Sequence, residues 1–212
     1  MPQQDTPVVI DELKNIVHIE CGANHVLALD NKGQLFTWGA AEQGQLGKRI
    51  VSRFKGDSLA PIKLFGVNSK RKTVTMGCGE YHSFAVADNG KVYAWGLNSS
   101  GQLGLPIPET FEGCIIGAQE VTSLGDYKVK QIKGGAHHSV AITQSGEVLV
   151  WGNIRSGQAG ILFDDLPKDA IGLDDHEEIA YLTKPVHVET GMYPPHGNTI
   201  TQLTSFRYWS RW

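Results

Sequence analysis

The sequence predicts an all-β fold, a partial β-propeller of three full blades plus the start of a fourth, from three recurring elements. A Gly-x-x-His motif appears three times, at intervals of 57 and 56 residues. Thirteen residues after each histidine comes a Trp-Gly pair, and six residues after each tryptophan begins a Gly-Gln-x-Gly motif. Such fixed spacing is typical of repeat architectures whose units pack on their neighbours. The motifs begin at Gly22, Gly79 and Gly135, at Trp38, Trp95 and Trp151, and at Gly44, Gly101 and Gly157.

The first unit shows why its elements are predicted to be strands. Residues 16–21 alternate apolar and polar side chains, as a half-buried strand does. Apolar runs at 25–29 and 34–38 flank the turn sequence that begins at Asp30. The later units repeat these runs at 83–86, 92–95, 139–142 and 148–151, and a further short strand is predicted at 61–65. Three or four strands in each unit, without helical periodicity, favour propeller blades over helical repeats.

The overall composition excludes several classes of protein. A net charge of −3 argues against a nucleic-acid binder that works through bulk positive charge. Because the sequence has no charged leader before an apolar stretch and no long apolar run, we expect neither secretion nor membrane spanning. The cysteines number three, and Cys21 and Cys78 fill the same repeat position, which does not fit a disulfide framework. We expect a nuclear protein, with the cytoplasm as a second location.

The combination of Gly-x-x-His, Trp-Gly and Gly-Gln-Leu-Gly resembles the regulator of chromosome condensation repeat over roughly residues 8–160. Within that family, residues 13–17 and the long segment 48–72 are most similar to fungal exchange factors of the Ran GTPase. The resemblance implies a seven-bladed propeller in longer chains, with three full units present here. It also implies a role in nucleocytoplasmic transport and mitosis, with a small GTPase of Ran type as partner.

The repeat spacing predicts a single propeller segment over residues 1–212. We predict blade units at 8–65, 66–127 and 128–190, the third with an acidic insertion at 161–180, the start of a fourth unit at 191–205 and a non-repeat tail at 206–212. The tail lies where the next Gly-x-x-His motif is expected. Since an open arc of blades leaves sheet faces and edges uncovered, we expect this segment alone to be marginally stable or to self-associate.

Residues that recur in every unit are predicted to be structural. A recurring histidine is expected to tie its turn to a neighbouring strand, and a recurring tryptophan to pack between blades. These predicted structural residues are Gly22, His25, Trp38, Gly79, His82, Trp95, Gly135 and Trp151.

Residues that vary within the Gly-x-x-His turns are the candidates for binding, because exposed loops on a rigid scaffold are where binding residues commonly lie. In the resembled family this face contacts the GTPase, and acidic or histidine residues beside the repeat histidine are implicated in exchange. His137 matches that pattern, whereas Asn24 keeps an acceptor oxygen but lacks the charge of the acidic residue expected there. The candidate GTPase contacts are Asn24, Glu80, Tyr81, His137 and His138.

Three chemical alternatives lack the residues that they require. The Gly-Gln-x-Gly motifs do not continue into the Gly-Lys-Ser/Thr of a phosphate-binding loop. Cys78, Cys114 and the nearby histidines lack the short paired spacing of metal ligands. No signature of a nucleophile–histidine–acid triad is present. We therefore expect no catalytic residue, no cofactor, no metal site and no direct small-molecule substrate.

Two segments differ strongly in charge. Residues 48–72 contain eight Lys or Arg and one acidic residue, and residues 161–180 contain seven acidic residues and one lysine. Both can be solvated loops. Alternatively, each can meet a partner surface of opposite charge and so raise the rate and selectivity of association.

These observations predict a segment of a guanine-nucleotide exchange factor for a Ran-type GTPase, which binds the nucleotide-free GTPase and changes no covalent bond. The alternative is a propeller scaffold, such as a ubiquitin-ligase accessory, without exchange activity. A third hypothesis is that the segment is inactive by itself. The resemblance implies chromatin or histone contact in the full-length protein, although residues 1–6 contain no Lys or Arg; no membrane partner is expected.

Overall fold

The strands of the protein form three antiparallel sheets in a computed structural model that describes residues 5–50, 58–64, 72–109 and 113–188. The first sheet contains, in order, β1 (Ile16–Cys21), β2 (His25–Asp30), β3 (Leu35–Gly39) and β4 (Ser58–Lys63). The second contains β5 (Thr73–Cys78), β6 (His82–Ala87), β7 (Val92–Leu97) and β8 (Cys114–Glu120). The third contains β9 (Val129–Gly134), β10 (His138–Thr143), β11 (Val148–Asn153), β12 (Ile171–Leu173) and β13 (Ile179–His187), in the order β12-β13-β11-β10-β9.

The all-β prediction is confirmed. Within the described ranges there is no α-helix, and the helical elements are 3-10 turns at Thr122–Leu124, Phe163–Asp165 and Lys168–Ala170. None of these turns is long or apolar enough to cross a bilayer. The burial of β1 is the reverse of what its alternation predicts: Val17 and Ile19 are 64% and 55% exposed, whereas His18 and Glu20 are partly buried. Met76, at the repeat position of Ile19, is buried because it packs on the first sheet, and every residue of β6 is buried.

The fourth strands were harder to predict than the first three. The strand predicted at 61–65 is β4, which begins three residues earlier, at Ser58; Phe65 lies outside the described residues. β8, β12 and β13 are not among the strands predicted from the sequence. The predicted start of a fourth unit at 191–205 and the predicted tail at 206–212 also lie outside the described residues.

The interpretation of residues 161–180 as a loop is wrong in part. This acidic segment contains two 3-10 turns, the whole of β12 and the beginning of β13, which pair as an antiparallel hairpin. Its apolar residues explain the difference, because Leu166, Ala170 and Ala180 are each no more than 5% exposed. Most of the acidic side chains of the segment are exposed, Asp174 being the exception, and β12 is the edge strand of the third sheet.

The sheets pack on one another through large side chains and through close contact between their first strands. Trp95 and Met76 are fully buried together with residues of the first sheet, and Trp151 packs edge-on against Phe84 with ring centroids 5.9 Å apart. A side chain at Gly77 of β5 would overlap the carbonyl oxygen of Ile132 in β9. The first strands therefore approach one another at the inner side of the arc, which brings the turns that follow them together.

Candidate functional site

Each Gly-x-x-His motif forms a tight turn in which the imidazole ring lies over the glycine. The N–H of Gly79 donates to the carbonyl of His82 at 2.8 Å, and the other two turns form the same hydrogen bond. A Cβ on Gly79 would overlap the ring carbon Cε1 of His82. The motif requires glycine because any other residue would push the histidine out of its place.

The three turns are joined by main-chain hydrogen bonds into one continuous edge, which we call the turn rim (residues 22–25, 79–82 and 135–138). The N–H of Ala23 donates to the carbonyl of Glu80 at 3.0 Å, and the N–H of Glu80 donates to the carbonyl of Gly135 at 2.9 Å. Asn24 is exposed on this rim, whereas Glu80, Tyr81 and His137 are half-buried. The structure thus brings these four predicted contact residues to one edge of the three sheets.

Behind the rim, a buried histidine of one sheet is linked to a serine of the next. His25 Nε2 lies 2.8 Å from Ser83 Oγ, and Ser83 Oγ donates to the carbonyl of Gln45 at 3.1 Å. The indole N–H of Trp95 donates to the same carbonyl at 2.9 Å. Since the serine hydroxyl uses its proton on Gln45, it accepts from His25, and the histidine proton lies on Nε2.

The second and third sheets repeat this arrangement atom for atom. His82 Nε2 lies 2.8 Å from Ser139 Oγ, which donates to the carbonyl of Gln102 at 2.7 Å, and Trp151 Nε1 donates to that carbonyl at 2.9 Å. We call the His–Ser–Gln carbonyl–Trp set the inter-sheet relay. The first sheet has Val26 at the position of the serine.

The relay histidines are held in the neutral form. Burial lowers the pKa of His25 to about 4. Burial, with smaller effects of nearby histidines, lowers the pKa of His82 to about 3. Burial, followed by the neighbouring His137, also lowers the pKa of His138. Within the described part of the chain, Nδ1 of His25 and of His82 has no hydrogen-bond partner, so a second ring proton there would be left without an acceptor.

On the rim itself, His137 and Tyr81 are the two aromatic candidates with polar partners. His137 Nδ1 lies 3.5 Å from the amide nitrogen of Gln102, and the His137 carbonyl accepts from the N–H of Asn153 at 2.8 Å. The charge of Glu80 raises the pKa of Tyr81, and the Tyr81 hydroxyl also donates to that carboxylate. The rim therefore presents the Glu80 carboxylate with its Tyr81 partner in one turn and an imidazole in the next.

Known proteins share this sequence and this arrangement of sheets. The profile of the RCC1-like domain matches residues 1–203. The chain belongs to this family. The resemblance seen in the repeat motifs is therefore confirmed.

Relatives of this RCC1-like chain include proteins of different named activities. Protein pim1 of Schizosaccharomyces pombe is 37% identical over 82% of the chain and 31% of its own length. The guanine nucleotide exchange factor SRM1 of Saccharomyces cerevisiae is 34% identical over 73% of the chain and 31% of its own length. The human probable E3 ubiquitin-protein ligase HERC6 is 34% identical over 77% of the chain and 16% of its own length. The chain thus spans about a third of the length of pim1 and SRM1.

Among solved structures, the chain resembles Prp20p from Saccharomyces cerevisiae. The TM-score is 0.78 at 28% sequence identity, over 88% of this chain and 42% of Prp20p. The fold prediction of a partial propeller is confirmed at the level of the family, whose structural neighbours are β-propellers.

Outside the rim, this RCC1-like chain has a charged cluster on its inner strands. Glu20 of β1 pairs with Lys133 of β9, and His18 Nε2 lies 2.8 Å from the same carboxylate. The side chains of Glu20 and Lys133 are 12% and 17% exposed, so the pair is largely shielded from water. It ties the first sheet to the third across the second.

Two aspartates of the acidic segment form ion pairs with basic residues of the same chain. Asp169 pairs with Lys184, and Asp174 pairs with Arg155. The N–H of Glu178 donates to Asp174 at 3.0 Å and, with the N–H of His176 and the charge of Arg155, lowers the pKa of Asp174. Of the basic segment 48–72, residues 51–57 and 65–71 lie outside the described ranges. The described residues contain no group of three or more His, Cys, Asp or Glu placed to hold an ion.

The polar partners in the relay, Ser83, Ser139, Gln45 and Gln102, are not among the site residues predicted from the sequence. Ser83 and Ser139 follow the repeat histidine directly, and a glutamine occupies the second position of every Gly-Gln-x-Gly motif. This recurrence was a usable signal for a structural network. His138, one of the five predicted contacts, is the last residue of its rim turn and the first of β10, and it occupies the same repeat position as the relay histidines.

Proposed function

We propose that this chain is a segment of a guanine-nucleotide exchange factor for a Ran-type small GTPase, and that the turn rim is part of the surface that contacts the GTPase. The observation that carries the proposal is the joining of the three turns into one edge. Residues 24, 80, 81 and 137, which vary between the repeats, stand together there on a main-chain frame. Two relatives support the choice of partner. SRM1 is named a guanine nucleotide exchange factor, and the structure of Prp20p is described with its binding properties to Gsp1p and histones.

The main-chain hydrogen bonds that join the three turns make the rim rigid, and a rigid surface can select one conformation of a partner. The rim is fixed from behind by the inter-sheet relay, whose carbonyl acceptors are buried with Gln45 and Gln102. Little ordering is needed when a rigid surface binds, so more of the contact energy remains for discrimination between two states of the partner.

The activity follows from linkage and needs no covalent step. If the rim binds the nucleotide-free GTPase more tightly than the nucleotide-loaded form, the bound GTPase must hold its nucleotide more weakly by the same factor. We accordingly propose a non-enzymatic exchange activity and a nuclear location.

We also propose that the three sheets correspond to blade units at 8–65, 66–127 and 128–190.

Charge near the rim would assist the encounter with the GTPase or with histones. Asp174 and Asp175 of the acidic segment line a surface cleft together with Asn153, whose N–H donates to the carbonyl of the rim residue His137. A fixed field of one sign raises association rates and loses its effect at high salt.

Release of labelled GDP from a Ran-type GTPase tests the proposal. We expect the chain to accelerate release, and His137→Ala to reduce the acceleration about tenfold, the effect of losing about one hydrogen bond to the partner. Asn89→Ala, on the turn between β6 and β7 at the opposite edge of the sheet, is the matched control and should have no effect. Equal effects of the two substitutions, or no acceleration by the chain, would contradict the proposal.

The second candidate is a propeller scaffold without exchange activity, favoured by the similarity to HERC6. A scaffold would bind its partner through the rim without preferring a nucleotide-free state. Binding to the GTPase that is equally tight with and without GDP, and no faster release, is the result expected for this candidate.

A further inference from the structure

We propose that Gln102 is a positioning residue for His137, fixing the imidazole in the tautomer whose proton is on Nε2. The inference rests on the proposed function only in the use that it assigns to His137. The orientation of the ring proton follows from contacts within the chain.

The amide of Gln102 has one possible orientation. Its Oε1 accepts from the N–H of Ser100 at 2.9 Å, which leaves Nε2 as the atom that faces His137. The equivalent glutamines form the same bond, from Gln43 N–H to Gln45 and from Ser156 N–H to Gln158, both at 2.8 Å. The orientation is therefore a property of the Gly-Gln-x-Gly turn and not of one unit.

An amide nitrogen can only donate a hydrogen bond, and this determines which ring nitrogen of the neutral histidine carries the proton. With Gln102 Nε2 at 3.5 Å, His137 Nδ1 must be the acceptor and carries no proton. The ring proton then lies on Nε2, and no described residue bonds that atom. His137 consequently offers the partner a single N–H donor, which fits an acceptor oxygen, such as a carboxylate or a main-chain carbonyl of the GTPase.

Gln102 couples this donor to the interior of the protein. The residue is fully buried, and its carbonyl accepts from both Ser139 and Trp151 in the inter-sheet relay. Gln102 thus accepts the relay hydrogen bonds with its main-chain carbonyl and contacts the His137 imidazole with its side-chain amide. In the preceding unit Gln45 occupies the same place, but the rim residue there is Tyr81, which has no ring nitrogen to accept the amide proton.

Imidazole nitrogen shifts measured by NMR on the full chain test the inference directly. We expect His137 to carry its proton on Nε2 in the wild type. In Gln102→Glu, a carboxylate oxygen replaces the amide nitrogen, so the proton should move to Nδ1. Gln45→Glu makes the same change in an equally buried residue of the preceding unit and should leave the His137 tautomer unchanged.

A second variant keeps the test decisive if a buried glutamate prevents folding. Gln102→Met has a similar length and no donor, and we expect it to leave His137 as a mixture of both tautomers. A wild-type proton on Nδ1, or an unchanged proton on Nε2 in both Gln102 variants, would overturn the inference.

GDP release separates this inference from the proposed function. If both hold, Gln102→Glu lowers release about as much as His137→Ala, about tenfold, and adds little in the double variant. If the tautomer moves while release stays at the wild-type rate, the positioning role stands and the assignment of His137 to the GTPase contact is wrong.

Discussion

The neutral state of the buried relay histidines makes a strong prediction about acid stability. In the folded chain the pKa is about 4 for His25 and about 3 for His82, against a usual value of 6.5. At a pH between the folded and unfolded pKa values, these histidines are protonated in the unfolded chain and neutral in the folded chain. The free energy of unfolding is therefore unaffected by these histidines above pH 6.5, and it decreases as the pH falls from 6.5 toward their pKa values in the folded chain.

The size of the loss follows from these values. For one histidine with an unfolded pKa of 6.5 and a folded pKa near 4, the free energy of unfolding falls by about 2 kcal/mol between pH 7 and pH 5. His25 and His82 together give about 4 kcal/mol, a large part of the total stability of an ordinary domain. His138, whose pKa is also lowered, adds to the loss in the same direction.

Urea unfolding of the full chain at pH 7, 6 and 5 measures this dependence. His82→Gln removes its own titration and should reduce the pH dependence by about 2 kcal/mol between pH 7 and pH 5, whatever it does to stability at pH 7. His25→Gln should do the same, and the double variant should remove most of the dependence. A wild-type stability that is flat over this range, or an unchanged slope in His82→Gln, would refute the reasoning.

Two further predictions concern the repeat motifs. Trp151→Phe removes the N–H that donates to the Gln102 carbonyl and should lower the free energy of unfolding by about 1–3 kcal/mol, more than Trp38→Phe at its half-buried position. Equal losses in urea unfolding would contradict the role of the relay. Gly79→Ala should cost more than about 2 kcal/mol because its Cβ would overlap the His82 ring, whereas Gly117→Ala, which has open space around it, should change stability by less than about 0.5 kcal/mol. A harmless Gly79→Ala would show that the turn tolerates a side chain.

The sequence predicted the elements whose signals are local and repeated. The repeat spacing predicts the three turns, and the apolar run of β6 matches its burial. The alternation along β1 predicts the strand but not its buried face, since Val17 and Ile19 are exposed. The fourth strands carried weaker signals. β12 is only three residues long and is flanked by acidic side chains, so the sequence carries too short an apolar signal to predict its hairpin with β13.

The candidate site could be predicted only in part. The positions of the rim residues follow from the repeat, because equivalent turns must lie at equivalent places. Their chemistry does not, since it depends on partners distant in sequence: Gln102 lies 35 residues from His137, and Glu20 lies 113 residues from Lys133. The common acceptor of the relay is a main-chain carbonyl, so the recurring glutamine marks the position without revealing which of its atoms accepts.

The claim that the turn rim docks the GTPase is tested most directly by site-specific photo-cross-linking. A photoreactive side chain is placed at the exposed Ala136 of the rim or, as a control, at the exposed Asn89 on the opposite edge. We predict that the variant at 136 cross-links the nucleotide-free Ran-type GTPase, that excess GDP suppresses the product, and that the variant at 89 gives none. Equal cross-linking from both positions, or a product at 136 that is indifferent to GDP, would contradict the account.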